Sequence, residues 1–220
     1  MEAVSVKPYK GMNMEGWIAR WYAANTRKGR DHQALAQRFA RELAPGSAVL
    51  EIAPGPGYFA IELAKATTCQ ITGLDISKTF VEIARRNAQE ANVKIDFQQG
   101  DAAHTPFAGE SFDFLFCAAA FKNFSQPVRA LQEMYRVLRQ GGAAVIIDLR
   151  RDASWKSISA AVAKMEMNWA NALFTKFVFR FGLLRRAYTR REFEKMISQT
   201  EFHHADMQES LTGLEIRLQK

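Results

Sequence analysis

Between residues 45 and 150, short and nearly continuous apolar runs alternate with stretches in which apolar residues recur at helical spacing. The runs are typical of strands buried on both faces, and the stretches between them are typical of helices that cover a sheet. The pattern predicts strands at 48–53, 69–75, 93–101, 111–121 and 143–150, with helices at 58–65, 78–92 and 127–139. This alternation favours a parallel sheet with helices on both faces, whose ligands bind at the carboxyl ends of the strands.

The two ends of the chain follow other patterns. Residues 13–43 show helical spacing twice with a break near Gly29, and Asp31 is suited to cap the second helix. Ser77 is suited to cap helix 78–92, and the pair Gly141 and Gly142 is expected to stop helix 127–139. Beyond Arg151 the sequence predicts a helical stretch at 154–183 and a further helix at 189–200, then an antiparallel hairpin formed by 202–210 and 212–220. The predicted fold is therefore α/β: a Rossmann-like, doubly wound, seven-stranded and mostly parallel sheet with an antiparallel C-terminal hairpin.

Composition adds limits to this picture. The chain has 220 residues, of which 48% are hydrophobic and 24% charged, as in ordinary globular domains. We expect a cytoplasmic protein, since no segment pairs a basic flank with a long apolar stretch. Cys69 and Cys117 are expected to be inert core thiols, and no metal site is predicted. The net charge of +7 is compatible with nucleic acid, an acidic membrane surface or simple solubility.

Residues 51–57, E-I-A-P-G-P-G, form a glycine-rich turn between the first strand and the next helix. Unpaired N–H groups at a helix N-terminus point outward, and small residues leave the backbone open, so the turn is suited to hold a ligand. Acidic residues surround it in the sequence: Glu51 precedes the turn, Asp75 ends the second strand and Asp101 follows the third. The turn does not read G-x-G-x-x-G, and a third acid has no routine role in a nicotinamide site, so a dinucleotide is disfavoured.

With these features, residues 45–150 resemble the class I S-adenosylmethionine-dependent methyltransferases, in particular the small bacterial ones related to ubiquinone-biosynthesis methyltransferases. The resemblance implies that Asp75 binds both ribose hydroxyls, for which a carboxylate is suited because it accepts two charge-assisted hydrogen bonds. It implies that Asp101 receives the adenine amino group and that Glu51 reaches the ammonium group of the cofactor through water. Further contacts implied by the resemblance are those of Ala53, Pro54, Gly55 and Gly57 with the methionine part, of Tyr22 with its carboxylate, and of Ala102, Ile76 and Phe107 with the adenine.

The turn departs from the family pattern at its first glycine, which is Ala53 here, and prolines occupy both variable positions. We expect Ala53 to adopt an ordinary backbone conformation, while Gly55 and Gly57 keep the permissive ones. Since the prolines remove two N–H donors, Gly57 and the neighbouring amides are expected to be the remaining donors to the cofactor.

Residues 117–124, which follow the fourth strand, lie where this fold approaches the transferred methyl group. Ala118, Ala119 and Ala120 leave room there, and Phe121 and Phe124 are expected to form an apolar wall. Asp148, at the end of the fifth strand, is our candidate acid or base. Lys122 either orients an anionic acceptor or is a solvated loop lysine.

The sequence thus predicts an enzyme that transfers a methyl group from S-adenosylmethionine to a small acceptor, aromatic or otherwise apolar and anionic, by in-line displacement. S-adenosylhomocysteine is the expected product. An RNA methyltransferase and a non-catalytic S-adenosylmethionine-binding protein are the alternatives. Nucleic acid is disfavoured because the region after the fourth strand lacks the Asn/Asp-Pro-Pro-aromatic signature of adenine methylation.

We expect one domain over residues 1–220, made of an N-terminal helical cap (1–44), a cofactor-binding core (45–150), a helical lid insert (151–190) and a C-terminal helix with hairpin (191–220). Substrate choice is assigned to the cap and the lid. The lid combines phenylalanines with Lys176, Arg180, Arg185, Arg186, Arg190 and Arg191. This combination favours either an apolar pocket with a basic rim or core packing with a solvated face. Monomer and homodimer are both compatible with the sequence, and a peripheral membrane contact of the lid stays open.

Overall fold

Strands and helices alternate along the chain as the hydrophobic pattern predicts. A computed structural model describes residues 9–11, 14–26, 31–163, 173, 175–177 and 182–220. Its helices are α1 (Gly16–Thr26), α2 (His32–Ala40), α3 (Tyr58–Ala66), α4 (Lys78–Glu90), α5 (Pro127–Val137), α6 (Trp155–Ala163) and α7 (Arg190–Ile197). Its strands are β1 (Ala48–Ile52), β2 (Gln70–Asp75), β3 (Asp96–Gln99), β4 (Phe112–Ala118), β5 (Leu138–Leu149), β6 (His204–Glu209) and β7 (Gly213–Gln219).

The strands form one seven-stranded sheet in the order β3-β2-β1-β4-β5-β7-β6. The strands β1 to β5 pair in parallel, whereas β7 pairs antiparallel with both β5 and β6. The predicted mixed sheet with a C-terminal hairpin is therefore confirmed. The strand order reverses between β1 and β4, and in sheets of this kind ligands bind at the carboxyl ends of the strands on either side of that reversal.

Local signals explain where several helices begin. The Asp31 carboxylate accepts a hydrogen bond from the Ala34 N–H at 2.8 Å, and the Ser77 hydroxyl accepts one from the Phe80 N–H at 3.0 Å. Both predicted caps are thereby confirmed. Helix α7 begins with a capping box, in which Thr189 and Glu192 each bind the other's backbone N–H.

The predicted role of Gly141 and Gly142 is wrong. Helix α5 ends at Val137, and the chain is already extended at Leu138, which pairs with Phe112 of β4. Strand β5 therefore includes both glycines, with Gly141 at φ +77°. A Cβ atom at Gly142 would lie 2.9 Å from the carbonyl oxygens of Arg139 and Asp113, so the pairing of β5 with β4 requires glycine here.

Two apolar layers cover the sheet. On one face, β1, β4 and β5 pack against α5 and α7 through residues such as Leu131, Met134 and Phe193. On the other, Phe39 of α2 and Phe59 of α3 lie against Phe116 of β4. The sheet is thus doubly wound, and its functional edge is the one at which these strands end.

Part of the helical stretch predicted at 154–183 lies outside the described residues. Of the helical stretch at 154–183, α6 is described, whereas 164–172, 174 and 178–181 lie outside the described residues. The division into cap, core and lid stays a prediction.

Cys117 is buried as expected, but Cys69 is only half-buried. No helix among the described residues combines the length and the apolar character that crossing a membrane requires.

Candidate functional site

The glycine turn joins β1 to α3 at the carboxyl edge of the sheet, next to the reversal of strand order. Its backbone is held to the neighbouring strand by a hydrogen bond of 2.8 Å from the Ala53 N–H to the Leu74 carbonyl. Ala53 has φ +56°, Gly55 φ +55° and Gly57 φ +79°. The expectation of an ordinary conformation at Ala53 is therefore wrong: this alanine occupies the left-handed region that disfavours side chains with a Cβ.

The N–H groups of the turn are engaged within the protein. The Gly57 N–H donates to the Pro54 carbonyl at 3.0 Å, and the Gly55 N–H donates to Asp75 Oδ2 at 2.9 Å. The Gly57 N–H is thus engaged within the turn, and its donation to a cofactor stays a prediction. A Cβ atom at Gly55 would meet no atom within 4 Å, so this glycine leaves open space beside the turn.

Asp75 closes β2 and is buried beneath the turn. Its other oxygen, Oδ1, accepts a hydrogen bond from the Ser77 N–H at 2.9 Å. Burial raises the pKa of Asp75 to about 6, against the effect of the backbone N–H groups of Ser77 and Gly55, which favour the carboxylate. The carboxylate joins the glycine turn to the start of α4 and keeps lone pairs for further donors.

Glu51 lies in β1 immediately before the turn, with 4% of its surface exposed. Burial raises its pKa to about 8, and the charge of Asp75 acts in the same direction, while a hydrogen bond from the Ala60 N–H opposes the rise. Its Oε2 atom is buried and has no hydrogen-bond partner within the described part of the chain. A buried carboxyl oxygen without a partner, beside a helix N-terminus and an open glycine, fits a ligand with a cationic donor such as an ammonium group.

The remaining predicted cofactor residues lie along the same edge. The Gly100 N–H binds the Asp75 carbonyl at 2.9 Å, which places Asp101 directly beyond Asp75. Asp101 Oδ1 accepts from the Ala103 N–H at 2.9 Å, and its Oδ2 lies 3.7 Å from His104 Nδ1. Ala102 is buried, Ile76 is half-buried, and Phe107 packs edge-on against Phe112 at 5.1 Å.

Tyr22 lies on α1, which packs against α4. Its ring meets Phe80 edge-on at a centroid distance of 5.8 Å. The Tyr58 hydroxyl at the start of α3 donates to the Ala23 carbonyl at 2.8 Å, so α1 is tied to the helix that follows the glycine turn. The structure thus joins the helix that carries Tyr22 to α3, which follows the glycine turn, and to α4, which follows β2.

Tyr9 pairs with the turn after β4, which the sequence did not indicate. Its backbone pairs with Phe124, and the Lys10 N–H donates to the Asn123 carbonyl at 2.7 Å. Burial raises the pKa of Tyr9 to about 12, and the charges of Asp75 and Asp148 add to the rise, while Arg186 opposes it. The phenol therefore lies within electrostatic reach of the carboxylates at the ends of β2 and β5. No periodicity or motif marks this position, because an isolated pairing with a distant turn leaves no pattern in the sequence.

Lys122 and Asp148 form a buried ion pair at the carboxyl ends of β4 and β5. Their exposed fractions are 6% and 4%, and Lys122 Nζ lies 2.8 Å from Asp148 Oδ1. The ammonium group also donates to the Ala119 carbonyl. Asp148 accepts two backbone N–H groups besides, from Lys122 at 2.8 Å and from Leu149 at 2.7 Å. The alternative of a solvated loop lysine is therefore wrong, and each charge is satisfied by the other.

The expected apolar wall after β4 is also placed differently. Phe121 is fully buried within the core beneath α5 and α7. Its ring centroid lies 5.1 Å from that of Phe193 and 5.2 Å from that of Phe124. These rings support the turn at 121–124 from below. Ala118, Ala119 and Ala120, which are expected to leave room near the transferred methyl group, are only partly buried.

The sheet order, the glycine turn and the two carboxylates at its edge agree with the fold and the site that the sequence predicts. In agreement, residues 50–146 match the family described as methyltransferase domain. The demethylmenaquinone methyltransferase of Deinococcus radiodurans is 39% identical over 107 residues, which cover 48% of this chain and 44% of that protein. The chain spans about half the length of the curated relatives that it matches at this level.

Solved structures show the same fold. A protein of Methanococcus maripaludis described as an S-adenosylmethionine-dependent methyltransferase superposes with a TM-score of 0.75 at 20% identity, over 99% of this chain and 97% of the other. The plantazolicin methyltransferase BpumL, solved with S-adenosylhomocysteine and a desmethylated substrate analogue, gives a TM-score of 0.70 at 16% identity and covers 90% of this chain and 89% of its own. These similarities show that the fold extends over nearly the whole chain.

Proposed function

We propose that this protein transfers a methyl group from S-adenosylmethionine to a small acceptor with an apolar, aromatic body. The observation that supports this most is the pair of buried carboxyls beside the glycine turn, of which Glu51 keeps an unpartnered oxygen. When bound, the cofactor supplies a sulfonium-activated methyl group, and the residues of this chain supply position and the exclusion of water.

In this proposal Asp75 accepts the two ribose hydroxyls and Glu51 faces the ammonium group of the cofactor. Asp101 and the Ala102 backbone hold the adenine, Ile76 flanks it, and Tyr22 reaches the methionine carboxylate. Ala53, Pro54, Gly55 and Gly57 form the surface against which the methionine part lies. Gly55 contributes the open space that a side chain would fill.

The acceptor side of the proposal rests on Tyr9, Lys122 and Asp148. The Tyr9 phenol is protonated at neutral pH, as an ordinary tyrosine is, and can donate a hydrogen bond to an acceptor oxygen. Lys122 and Asp148 satisfy each other, so we assign them to positioning the turn after β4 rather than to proton transfer. The acceptor nucleophile forms its bond to the methyl carbon as the sulfur–carbon bond breaks, and its proton leaves to water.

The relatives suggest which acceptor to try first. Demethylmenaquinone is named as the substrate of the Deinococcus radiodurans protein and of several others. Its reduced form is an aromatic diol with an apolar tail, which agrees with the acceptor chemistry inferred from the sequence. We therefore propose a prenylated naphthoquinol as the acceptor class.

Nucleic acid fits the described surface less well. Many of its cations are paired with acids of the same chain, among them Arg150 with Asp152 and Glu209, Arg151 with Glu192, and Arg139 with Asp113. Paired cations contribute little to a field that would hold a phosphate backbone. This supports a small acceptor over RNA.

The cofactor half of the proposal is tested by calorimetric titration with S-adenosylhomocysteine. Asp75→Asn removes a charge-assisted acceptor, so binding should weaken about 10- to 100-fold. Asp206→Asn, an exposed aspartate on β6 at the far end of the sheet, is the matched control and should bind as the unmodified protein does. Equal affinity of the two variants for S-adenosylhomocysteine would contradict the assignment of Asp75 to the ribose hydroxyls.

The acceptor half is tested by incubation with methyl-labelled S-adenosylmethionine and reduced short-chain demethylmenaquinone. Labelled quinol and S-adenosylhomocysteine are expected in equal amounts. Tyr9→Phe, which loses only the hydroxyl, should raise the acceptor KM and leave the affinity for S-adenosylhomocysteine unchanged. Tight cofactor binding without turnover on any quinol, phenol or RNA would instead indicate a non-catalytic binding protein.

A further inference from the structure

Helix α1 packs its small residues inward and its largest residues outward. Ala19 and Ala23 are buried against α4, whereas Trp17 is 74% exposed and Trp21 is 62% exposed. Positions four apart lie on the same side of a helix, so the two indoles form one surface. Arg20 is exposed between them in the sequence, one position before Trp21. Water-facing sides of helices usually carry polar residues, so this arrangement is the reverse of the usual one.

The helix that exposes the two indoles is attached to the rest of the domain at both ends. At its N-terminus, the Gly16 N–H donates to Thr79 Oγ1 at 3.0 Å, and the Ser77 hydroxyl donates to the Met14 carbonyl at 2.6 Å. Near its other end, the Tyr58 hydroxyl binds the Ala23 carbonyl. With both ends attached to the domain, Trp17 and Trp21 are presented outward as a fixed pair.

The chemistry of this surface selects its partner. Tryptophan combines a large apolar ring with an N–H donor and is the residue enriched where a bilayer meets water. The only charge on α1 is Arg20, and the acid just before the helix, Glu15, is engaged by the N–H groups of Lys78 and Thr79. The chain as a whole carries a net charge of +7. Indoles next to a cation, on a basic protein, complement the headgroups of an anionic bilayer.

We propose that the α1 surface formed by Trp17, Arg20 and Trp21 docks on an anionic phospholipid bilayer. Ser77, which holds the start of α1, is also bound through its N–H to Asp75. Docking by α1 therefore brings the rim of the glycine-turn crevice to the membrane surface, where apolar molecules dissolved in the lipid are concentrated. The proposal does not depend on methyl transfer.

Flotation of the full chain with lipid vesicles tests the proposal without cofactor or acceptor. The protein should float with vesicles that contain phosphatidylglycerol and stay behind with pure phosphatidylcholine. Trp17→Ser with Trp21→Ser should lower the partition coefficient about tenfold or more, because both indoles are lost from the contact. Arg20→Gln should lower it about fivefold and reduce its dependence on salt, as expected for one cation near an anionic surface.

Trp155→Ser is the matched control, since it removes an exposed tryptophan from α6. It should change the partition coefficient by less than about twofold. All variants should unfold at the same temperature as the unmodified protein, because each changed side chain is exposed. A loss with Trp155→Ser equal to that of the α1 variant, or equal flotation of every variant, would overturn the assignment of this surface.

Fluorescence provides a second readout of the same contact. The chain has four tryptophans, so changing Trp155 and Trp169 to Phe leaves the α1 pair as the only indoles. Their emission should shift to shorter wavelength on addition of phosphatidylglycerol vesicles and be quenched by brominated lipid. A concentration-dependent dimer that Trp17→Ser with Trp21→Ser converts to monomer, without vesicle binding, would instead make a second copy of the chain the partner.

Discussion

Glu51 shows how a single buried group links the fold to ligand binding. Its position in β1 places it away from water, and its pKa of about 8 means that the carboxyl is largely protonated at neutral pH. A cationic ligand would reverse this, because an adjacent positive charge favours the carboxylate. Proton loss from Glu51 is therefore expected to accompany binding of the cofactor's ammonium group.

The pH dependence of cofactor affinity tests this linkage. The ligand lowers the pKa of Glu51 from about 8 in the free protein, so affinity for S-adenosylhomocysteine should rise with pH below that value and level off above it. The slope should approach tenfold per pH unit, with up to one proton released, measured by calorimetry in buffers of different ionisation enthalpy. Glu51→Gln should bind more weakly and without this slope. An unmodified protein that releases no proton would contradict the placement of Glu51.

The glycine turn is an element whose backbone is strained at one residue. Ala53, Gly55 and Gly57 all have positive φ, yet one of them carries a Cβ. The left-handed conformation costs a residue with a Cβ about 1–2 kcal/mol, whereas glycine adopts it freely. Ala53 therefore holds a local strain at the point where β1 leaves the sheet.

Paired substitutions in the turn should change stability in opposite directions. Ala53→Gly removes the strain but adds freedom to the unfolded chain, so the free energy of unfolding should rise by about 0.5–1 kcal/mol. Gly55→Ala, at φ +55° with open space around its Cβ position, should lower it by about 1 kcal/mol. Urea unfolding of both variants measures the effect. A destabilised Ala53→Gly would show that the alanine methyl contributes packing that outweighs the strain.

The turn after β4 is held by a different device, the buried pair of Lys122 and Asp148. Ala119 has φ +57°, and its carbonyl accepts from the Lys122 ammonium, so the charge stabilises an otherwise unfavourable turn. The pair also joins the ends of β4 and β5, the strands that border the proposed acceptor side of the crevice.

Removing one charge of this pair should cost far more than removing both. Asp148→Asn leaves Lys122 buried without a counter-charge, and the free energy of unfolding should fall by about 3–5 kcal/mol. Adding Lys122→Met to the same variant removes the stranded charge and should recover about half of that loss or more. Thermal and urea unfolding give both values. Equal stability of the single and double variants would mean that Lys122 reaches water once Asp148 is neutral.

At the level of the whole molecule, the sheet order explains why residues far apart in sequence share one site. Because β1 to β5 are parallel, their carboxyl ends meet at one edge, and the reversal between β1 and β4 opens a crevice there. Glu51, Asp75 and Asp148 come from three different strands. Helix α1 borders the same edge, so the proposed membrane surface and the proposed binding crevice are neighbours.

The sequence predicted the strands, most helix starts and the antiparallel hairpin because these depend on local periodicity and capping groups. The sequence was less accurate in predicting the limits of an element that are set by its pairing with a neighbouring strand. Strand β5 begins before its glycines, since Leu138 pairs with Phe112 and Gly142 meets the backbone of a neighbouring strand. Such limits are set by contacts that a single stretch of sequence does not contain.

The sequence by itself determined the alternation of strands and helices, their parallel order and the acids around the glycine turn, because each of these follows from residue spacing along the chain. Only the tertiary structure decided that Lys122 is buried against Asp148, that the Tyr9 backbone pairs with Phe124, that Glu51 keeps an unpartnered oxygen and that the α1 indoles face outward. Burial, charge pairing and pKa depend on which distant residues come together, and that is a property of the folded chain.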